Sequence, residues 1–370
     1  MAAGCKTWNT RLGPPRQSRK AVITISCAAP PGQGDLGRQF AELIDDLRWQ
    51  GRLRRYYSTG LDGSGPAPEG CLIPQRKQWT PLRFGRGPRT FDAWDEFDRR
   101  VAPRLEKSDA HVGFAGQSRH TFLRARRLGC AVLQLVAVTG HVEDVARRHA
   151  EALSRWPLED AEVDERRRRK LLDEYEMSDV ILVSSEHARR SFLAAGVPEG
   201  KLRLWQARPD PRFQPSGRKP DDDVFRIVFV GIISVLNGVP VLLEALEAIP
   251  RQEVELTLVG DWSSGAVRRY VEEGAHRDRR IRMVAGDPLP HLRRADVLVH
   301  PGFDDGSAYG PLEALACDVP VIASEDAAVA EQIQPDVTGW VVPTGSVEAL
   351  VDRLEALIAT PKTARHLQPV

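Results

Sequence analysis

Two carboxylates eight residues apart, Asp305 and Glu313, stand in HPGFDDGSAYGPLEALACDVPVIAS, where an apolar strand pattern gives way to a helical one. A carboxylate at such a junction can accept hydrogen bonds from sugar or ribose hydroxyls, and the backbone N–H groups of a helix start can hold a phosphate. Gly306 and Gly310 let the backbone approach a ligand closely. Glu313 also has a purely local use, since an acidic residue in a first turn offsets the positive end of its helix. A second glycine-framed turn, Gly231 to Gly238 in FVGIISVLNGVPVLLEAL, also separates a strand pattern from a helix. His141 follows the apolar run AVLQLVAV and so falls near the carboxyl end of a strand; His111 is a weaker candidate of the same kind. The sequence holds no Ser-His-Asp arrangement and no HExxH, and no metal site is assigned.

Residues scattered this widely need a scaffold that brings strand ends together. A chain of 370 residues is too long for one ordinary core and suits two domains of moderate size. AVITISC (21–27) is a β-branched run suited to a buried parallel strand. The turn APPGQGDLG follows, then Phe40, Leu43, Ile44 and Leu47 at helical spacing. Residues 60–90, dense in Gly and Pro, are predicted as a long loop. HVGF (111–114), AVLQLVAV (131–138) and VILVSS (180–185) read as strands. Helices are predicted through Phe122 and Leu123, over the charged stretch 143–177, and over 186–196. Four prolines and almost no aliphatic side chains mark RPDPRFQPSGRKPDD (208–222) as a linker. Beyond it FRIVFVG (225–231), VELTLVG (254–260), IRMVA (281–285), ADVLVHP (295–301) and VPVIAS (319–324) begin a second αβ series. The expected organisation is a disordered leader over 1–20, a first domain over 21–207, a linker over 208–222 and a second domain over 223–370. That is an α/β protein of two doubly wound Rossmann-like domains facing a cleft, its ligand at the carboxyl ends of the strands.

Composition narrows the function. With 42% hydrophobic and 28% charged residues the chain reads as soluble and globular. A net charge of +1 lacks the basic surplus that a nucleic-acid partner calls for. Five scattered cysteines without a Cys-x-x-Cys pair fit a reducing compartment. No apolar run is long enough to span a bilayer, and the first twenty residues lack the apolar core of a secretory signal, so a cytoplasmic location is expected. The run RRRRK (166–170), with Glu162, Asp164, Glu165, Asp173 and Glu174 nearby, reads as a solvated helix face. Its alternative is docking on anionic lipid, which would give peripheral contact with the inner face of a membrane.

The Asp305–Glu313 segment resembles the nucleotide-sugar site of the retaining glycosyltransferase family four, also called glycosyl transferases group 1, where two glutamates stand eight apart in a pattern like E-G-F-G-x-x-x-x-E-A-x-A. The continuation VIASEDAAVAEQIQPDVTGWVVPTGSVEALVDRLEAL is similar as well, so the likeness covers most of residues 225–358. DEYEMSDVILVSSEHARRSFLAAGVPEGKLRLWQARPDPRFQP resembles the stretch that closes the acceptor domain of these enzymes. The resemblance implies a GT-B fold. It also implies transfer of a hexosyl group from a nucleotide-sugar donor to an acceptor (polysaccharide, lipid or small molecule), with retention of configuration and without cofactor or metal. Glu313 would hold the ribose hydroxyls and Asp305 the transferred sugar. Amides around Gly306, Ser307 and Ala308 would hold sugar and diphosphate, with Gly231 and Asn237 in the diphosphate loop. Gly34 and Gly37 would belong to the acceptor-side loop, and His141 would contact sugar or acceptor.

The chain departs from the family in the diphosphate loop, usually F-V-G-R-x-x-x-x-K-G. Ile232 replaces the Arg and Asn237 the Lys, whose charges neutralise the leaving diphosphate. Either another cation such as Arg293 or Arg294 enters the site, or activity is weak or absent; the rival reading is a non-catalytic relative acting as a binding or partner subunit. A GT-B sugar-nucleotide epimerase is a third option, without an acid/base pair to carry it. The terminal TPKTARHLQPV is too short for the helix with which GT-B chains usually cross back onto their first domain.

Overall fold

The computed structural model describes residues 20–60, 68–74, 90–159, 163–215, 220, 222–303 and 309–360. The first unit comprises β1 (Ile23–Cys27), α1 (Gly34–Trp49), β2 (Leu53–Ser58), β3 (Gly70–Leu72), α2 (Thr90–Val101), β4 (Ala110–Phe114), α3 (Arg119–Arg127), β5 (Val132–Ala137), α4 (Val142–Arg155), α5 (Glu165–Met177), β6 (Val180–Val183), α6 (Glu186–Ala194) and β7 (Leu202–Leu204). The second comprises β8 (Phe225–Val230), α7 (Val239–Ala248), β9 (Val254–Val259), α8 (Gly265–Arg277), β10 (Ile281–Val284), α9 (Leu289–Leu292), β11 (Val297–His300), α10 (Tyr309–Ala316), β12 (Val321–Ser324), β13 (Gly339–Val342) and α11 (Val347–Ala359).

Both sheets are parallel. Their strand orders, β3-β2-β1-β4-β5-β6-β7 and β10-β9-β8-β11-β12-β13, wind outward in two directions from a central strand. The order reverses between β1 and β4 and again between β8 and β11, and the crevices that form there open at the strands' carboxyl ends. Strands β1, β4 and β8 are buried along their whole length, as sheets covered by helices on both faces require.

Several expected elements change. Strand β3 lies inside the loop predicted over 60–90, and α2 starts at its last residue. Helix α2 carries its apolar face at Phe91, Trp94, Phe97 and Val101. The single helix expected over 143–177 is two, α4 and α5. Pro157 has no N–H to continue α4, and Asp164 caps the new start by accepting from the Arg167 N–H at 2.8 Å. The RRRRK run is a solvated face except at Lys170. Lys170 is 5% exposed and bonds Asp95 and Asp98 at 2.8 and 3.0 Å; Arg166 pairs with Asp92 and Asp95, Arg168 with Glu143 and Arg169 with Glu165. Arg167 lies over the Trp94 ring.

The two units meet through side chains of both. Val145, Ala152 and Trp156, in and just after α4, join the core of the second unit. Trp156 packs edge-on to Phe303 and donates its Nε1–H to Glu244 at 2.7 Å. On another face Glu331 accepts the Glu186 and His187 N–H groups at the start of α6, at 2.8 and 2.6 Å. Among the described residues, no helix is long and apolar enough to cross a membrane.

Candidate active site

The turn between β8 and α7 is shaped by Gly238, which sits at φ 72° as the cap of α7, where an added Cβ would collide with the Pro301 carbonyl. Gly231 opens the same turn, its N–H donating to the Val259 carbonyl. Asn237 spends its side-chain amide inside the loop, on the Ile232 carbonyl at 2.8 Å. Ile232 points outward and is 53% exposed. A first-unit carboxylate also reaches the loop: Glu159 Oε1 accepts the Val235 N–H at 2.7 Å.

Facing this loop, α10 follows β11 and carries Tyr309 and Glu313, both fully buried. Glu313 meets α1 of the first unit. Its Oε1 is ion-paired with Arg38 Nη1, while its Oε2 is buried without a partner among the described residues. Arg38 is tied to Asp35 at 2.7 Å, and its guanidinium lies 4.3 Å from the centre of the Tyr309 ring. The Tyr309 hydroxyl donates to Glu42 Oε1 at 2.7 Å; Glu42 Oε2 is likewise buried and unpartnered among the described residues. Burial pushes the Glu313 carboxyl up to about 7, against the opposing pull of Arg38. Burial also raises Glu42 and the Tyr309 hydroxyl, so the latter remains a donor. At the end of β11, His300 stacks on Phe229, and burial holds it neutral with its proton affinity down to about 4. His300 Nδ1 has no partner among the described residues.

Sequence reasoning missed Arg38, Glu42, Tyr309 and His300. The signal available for Arg38 was its place directly after Gly37 in the glycine turn. That turn is real: an added Cβ on Gly37 would strike the Pro30 carbonyl, Gly34 has φ 62°, and the Gly32 N–H closes the turn on the Gly37 carbonyl at 2.7 Å. It delivers Arg38 and Asp35 to the cleft on the first turns of α1.

Other expected residues take different places. His141 is a helix cap in the core of its own unit. Its Nδ1 accepts the Glu143 N–H at 3.3 Å, its ring packs on Tyr175 and Phe192, and it is 4% exposed. Burial lowers its basicity. His111 is sealed between Thr24 and Ser26. Arg293 and Arg294 do not bring charge to the loop, because they follow α9 and precede β11, at the amino ends of the strands. Asp305, Gly306, Ser307 and Ala308 lie outside the described residues. Asp95, Asp98 and His120 approach one another closely enough to suggest a metal. Both carboxylates are already engaged, by Lys170, Arg99 and Arg166 and by the N–H groups of His120 and Thr121 at the start of α3.

Two parallel sheets of seven and six strands, with α1 and α10 after their switch points joined through Arg38 and Glu313, make this a GT-B fold. Residues 224–360 match the family model described as glycosyl transferases group 1, and the chain resembles glycosyltransferase family four through that domain. Similar curated proteins include the amylovoran biosynthesis glycosyltransferase AmsK of Erwinia amylovora, 26% identical over 65% of this chain and 58% of that protein. The D-inositol 3-phosphate glycosyltransferase of Paenarthrobacter aurescens is 30% identical over 38% of this chain and 36% of its own length. The chain thus spans less than two thirds of these relatives. Among solved structures, sucrose-phosphate synthase from Thermosynechococcus elongatus superposes with a TM-score of 0.68 at 19% identity, covering 94% of this chain and 92% of that one. Anabaena HepE, in complex with UDP and glucose, does so with a TM-score of 0.66 at 14% identity and the same coverage.

Proposed function

We propose that this chain is a glycosyltransferase that takes a hexosyl group from a nucleotide-sugar donor on its second domain and transfers it, with retention, to an acceptor entering from the first. The observation that carries the reading is Glu313: a buried carboxylate beside the glycine loop, with, among the described residues, one oxygen unpartnered and the other held by an arginine of the first unit. A vicinal diol such as ribose suits that pair of acceptors. The relatives are named glycosyltransferases, and the HepE structure is described with UDP and glucose.

In this reading the bond from the anomeric carbon to the donor phosphate breaks while the acceptor oxygen bonds that carbon from the same face. The acceptor's proton passes to the departing phosphate oxygen. The protein places the two partners, excludes water and stabilises the charge that builds on the leaving group. No metal or cofactor takes part, and the acceptor is left as polysaccharide, lipid or small molecule. We place the protein in the cytoplasm. The internal pairing of the RRRRK run gives the membrane-docking alternative no support.

The test is release of nucleoside diphosphate from UDP-, GDP-, ADP- and dTDP-hexoses. Turnover of one donor, lost together with its binding in Glu313→Ala, is expected; unchanged donor affinity in that variant sinks the assignment. A second reading, a binding or partner subunit without activity, is favoured by exposed Ile232 and by the commitment of Asn237 to the loop itself. Ile232→Arg combined with Asn237→Lys separates the two. A large gain in donor hydrolysis indicates a site that has lost its charge, and no gain a site supplied with charge from elsewhere.

A further inference from the structure

Among the described residues, the loop after β8 offers a diphosphate bound beside it no cation of its own. No Lys or Arg occurs between Arg226 and Arg251, and the Asn237 amide is used on the Ile232 carbonyl. Arg212 acts on Glu313 at longer range, but it is bound to Asp210 and Asp287 and stacked on Phe213. The guanidinium that touches Glu313 is that of Arg38, which comes from the opposite domain at the carboxyl end of β1.

We propose that Arg38 is the diphosphate cation of this protein, replacing from the first domain the charges that the loop after β8 lacks. The proposal rests on the donor-site reading above. A ribose bound through two vicinal hydroxyls engages both oxygens of Glu313: Oε2, which has no partner among the described residues, and Oε1, which Arg38 holds. Its arrival displaces Arg38 Nη1. The guanidinium, still tied to Asp35 and seated on Tyr309, then turns its fork of donors to the phosphate oxygens next to the ribose. In the structure the same side chain offsets a buried carboxylate that would otherwise stand uncompensated. Because Arg38 belongs to the first domain, charge reaches the leaving group only when α1 and α10 are together, which ties phosphate neutralisation to closure.

Calorimetric titration of the full chain with UDP, GDP, ADP and dTDP, each beside its nucleoside, tests this. Arg38→Ala is expected to lose tenfold or more in affinity for the diphosphate, with nucleoside affinity unchanged or improved; the bound nucleoside also reports that the variant is folded. Arg38→Lys should fall between, and Ile232→Arg with Asn237→Lys in the Arg38→Ala background should restore the diphosphate. Equal losses for nucleoside and diphosphate overturn the proposal, since Arg38 would then only position Glu313. So does an equal gain for both, which would make Arg38 a plug on the carboxylate, or an unchanged diphosphate affinity. A wild-type chain that binds none of these ligands overturns the donor-site reading itself, and the Arg38 role with it.

Discussion

At the scale of single residues, Glu313 is governed by the balance between burial and one cation. Its carboxyl, raised to about 7, binds its proton more tightly in the folded chain than in the unfolded one, where about 4.3 is usual. Its contribution to stability is therefore complete at low pH and is lost as pH rises from about 4.3 toward 7. Glu313→Gln lacks this titration, so urea melts should show wild type losing stability relative to the variant across that window and no further above it. A difference that widens in favour of wild type as pH rises would mean that the Arg38 pair outweighs burial. Glu313 was legible in the sequence because a short motif surrounds it. Arg38 was not, since it lies 275 residues away and an arginine early in a helix carries no signal until folding sets it against its partner.

At the scale of elements, local chemistry decided most of what sequence reasoning got right. Buried strands such as β1, β5 and β8 declare themselves as apolar runs, and a helix such as α1 by the spacing of its apolar residues. What escaped had a local reason. LRRYYS in β2 sets two adjacent arginines before two adjacent tyrosines, with neither an apolar run nor an alternation, and β3 and β7 are three-residue edge strands with too little pattern to see. The charged stretch was read through Pro157 as one helix although proline ends such a run. The RRRRK run offers a contrast that sequence alone cannot rank. Lys170 is 5% exposed between Asp95 and Asp98, whereas the Arg169 side chain is 74% exposed beside Glu165. Lys170→Ala leaves two buried carboxylates short of their cation and should cost about 3–5 kcal/mol in a denaturant titration. Arg169→Ala should cost no more than about 0.5 kcal/mol. Similar costs for both would contradict this picture of α5.

At the scale of the whole molecule, the GT-B architecture was legible because two αβ alternations separated by a proline-rich segment leave few other topologies. The contact between the domains was not, because it is made by residues that look ordinary on their own elements: Trp156 reaching Glu244, Glu159 reaching the Val235 N–H, and Arg38 reaching Glu313. In the role proposed for Arg38, that interface supplies the charge the loop lacks, and the altered loop need not abolish binding. The account turns on a nucleotide seated on Glu313. Its most direct measurement is calorimetric titration of the wild-type chain and of Glu313→Ala with UDP-, GDP-, ADP- and dTDP-sugars. The account predicts binding of one sugar nucleotide by wild type and its loss in the variant. Equal binding by both, or no binding to wild type at millimolar concentration, would contradict it.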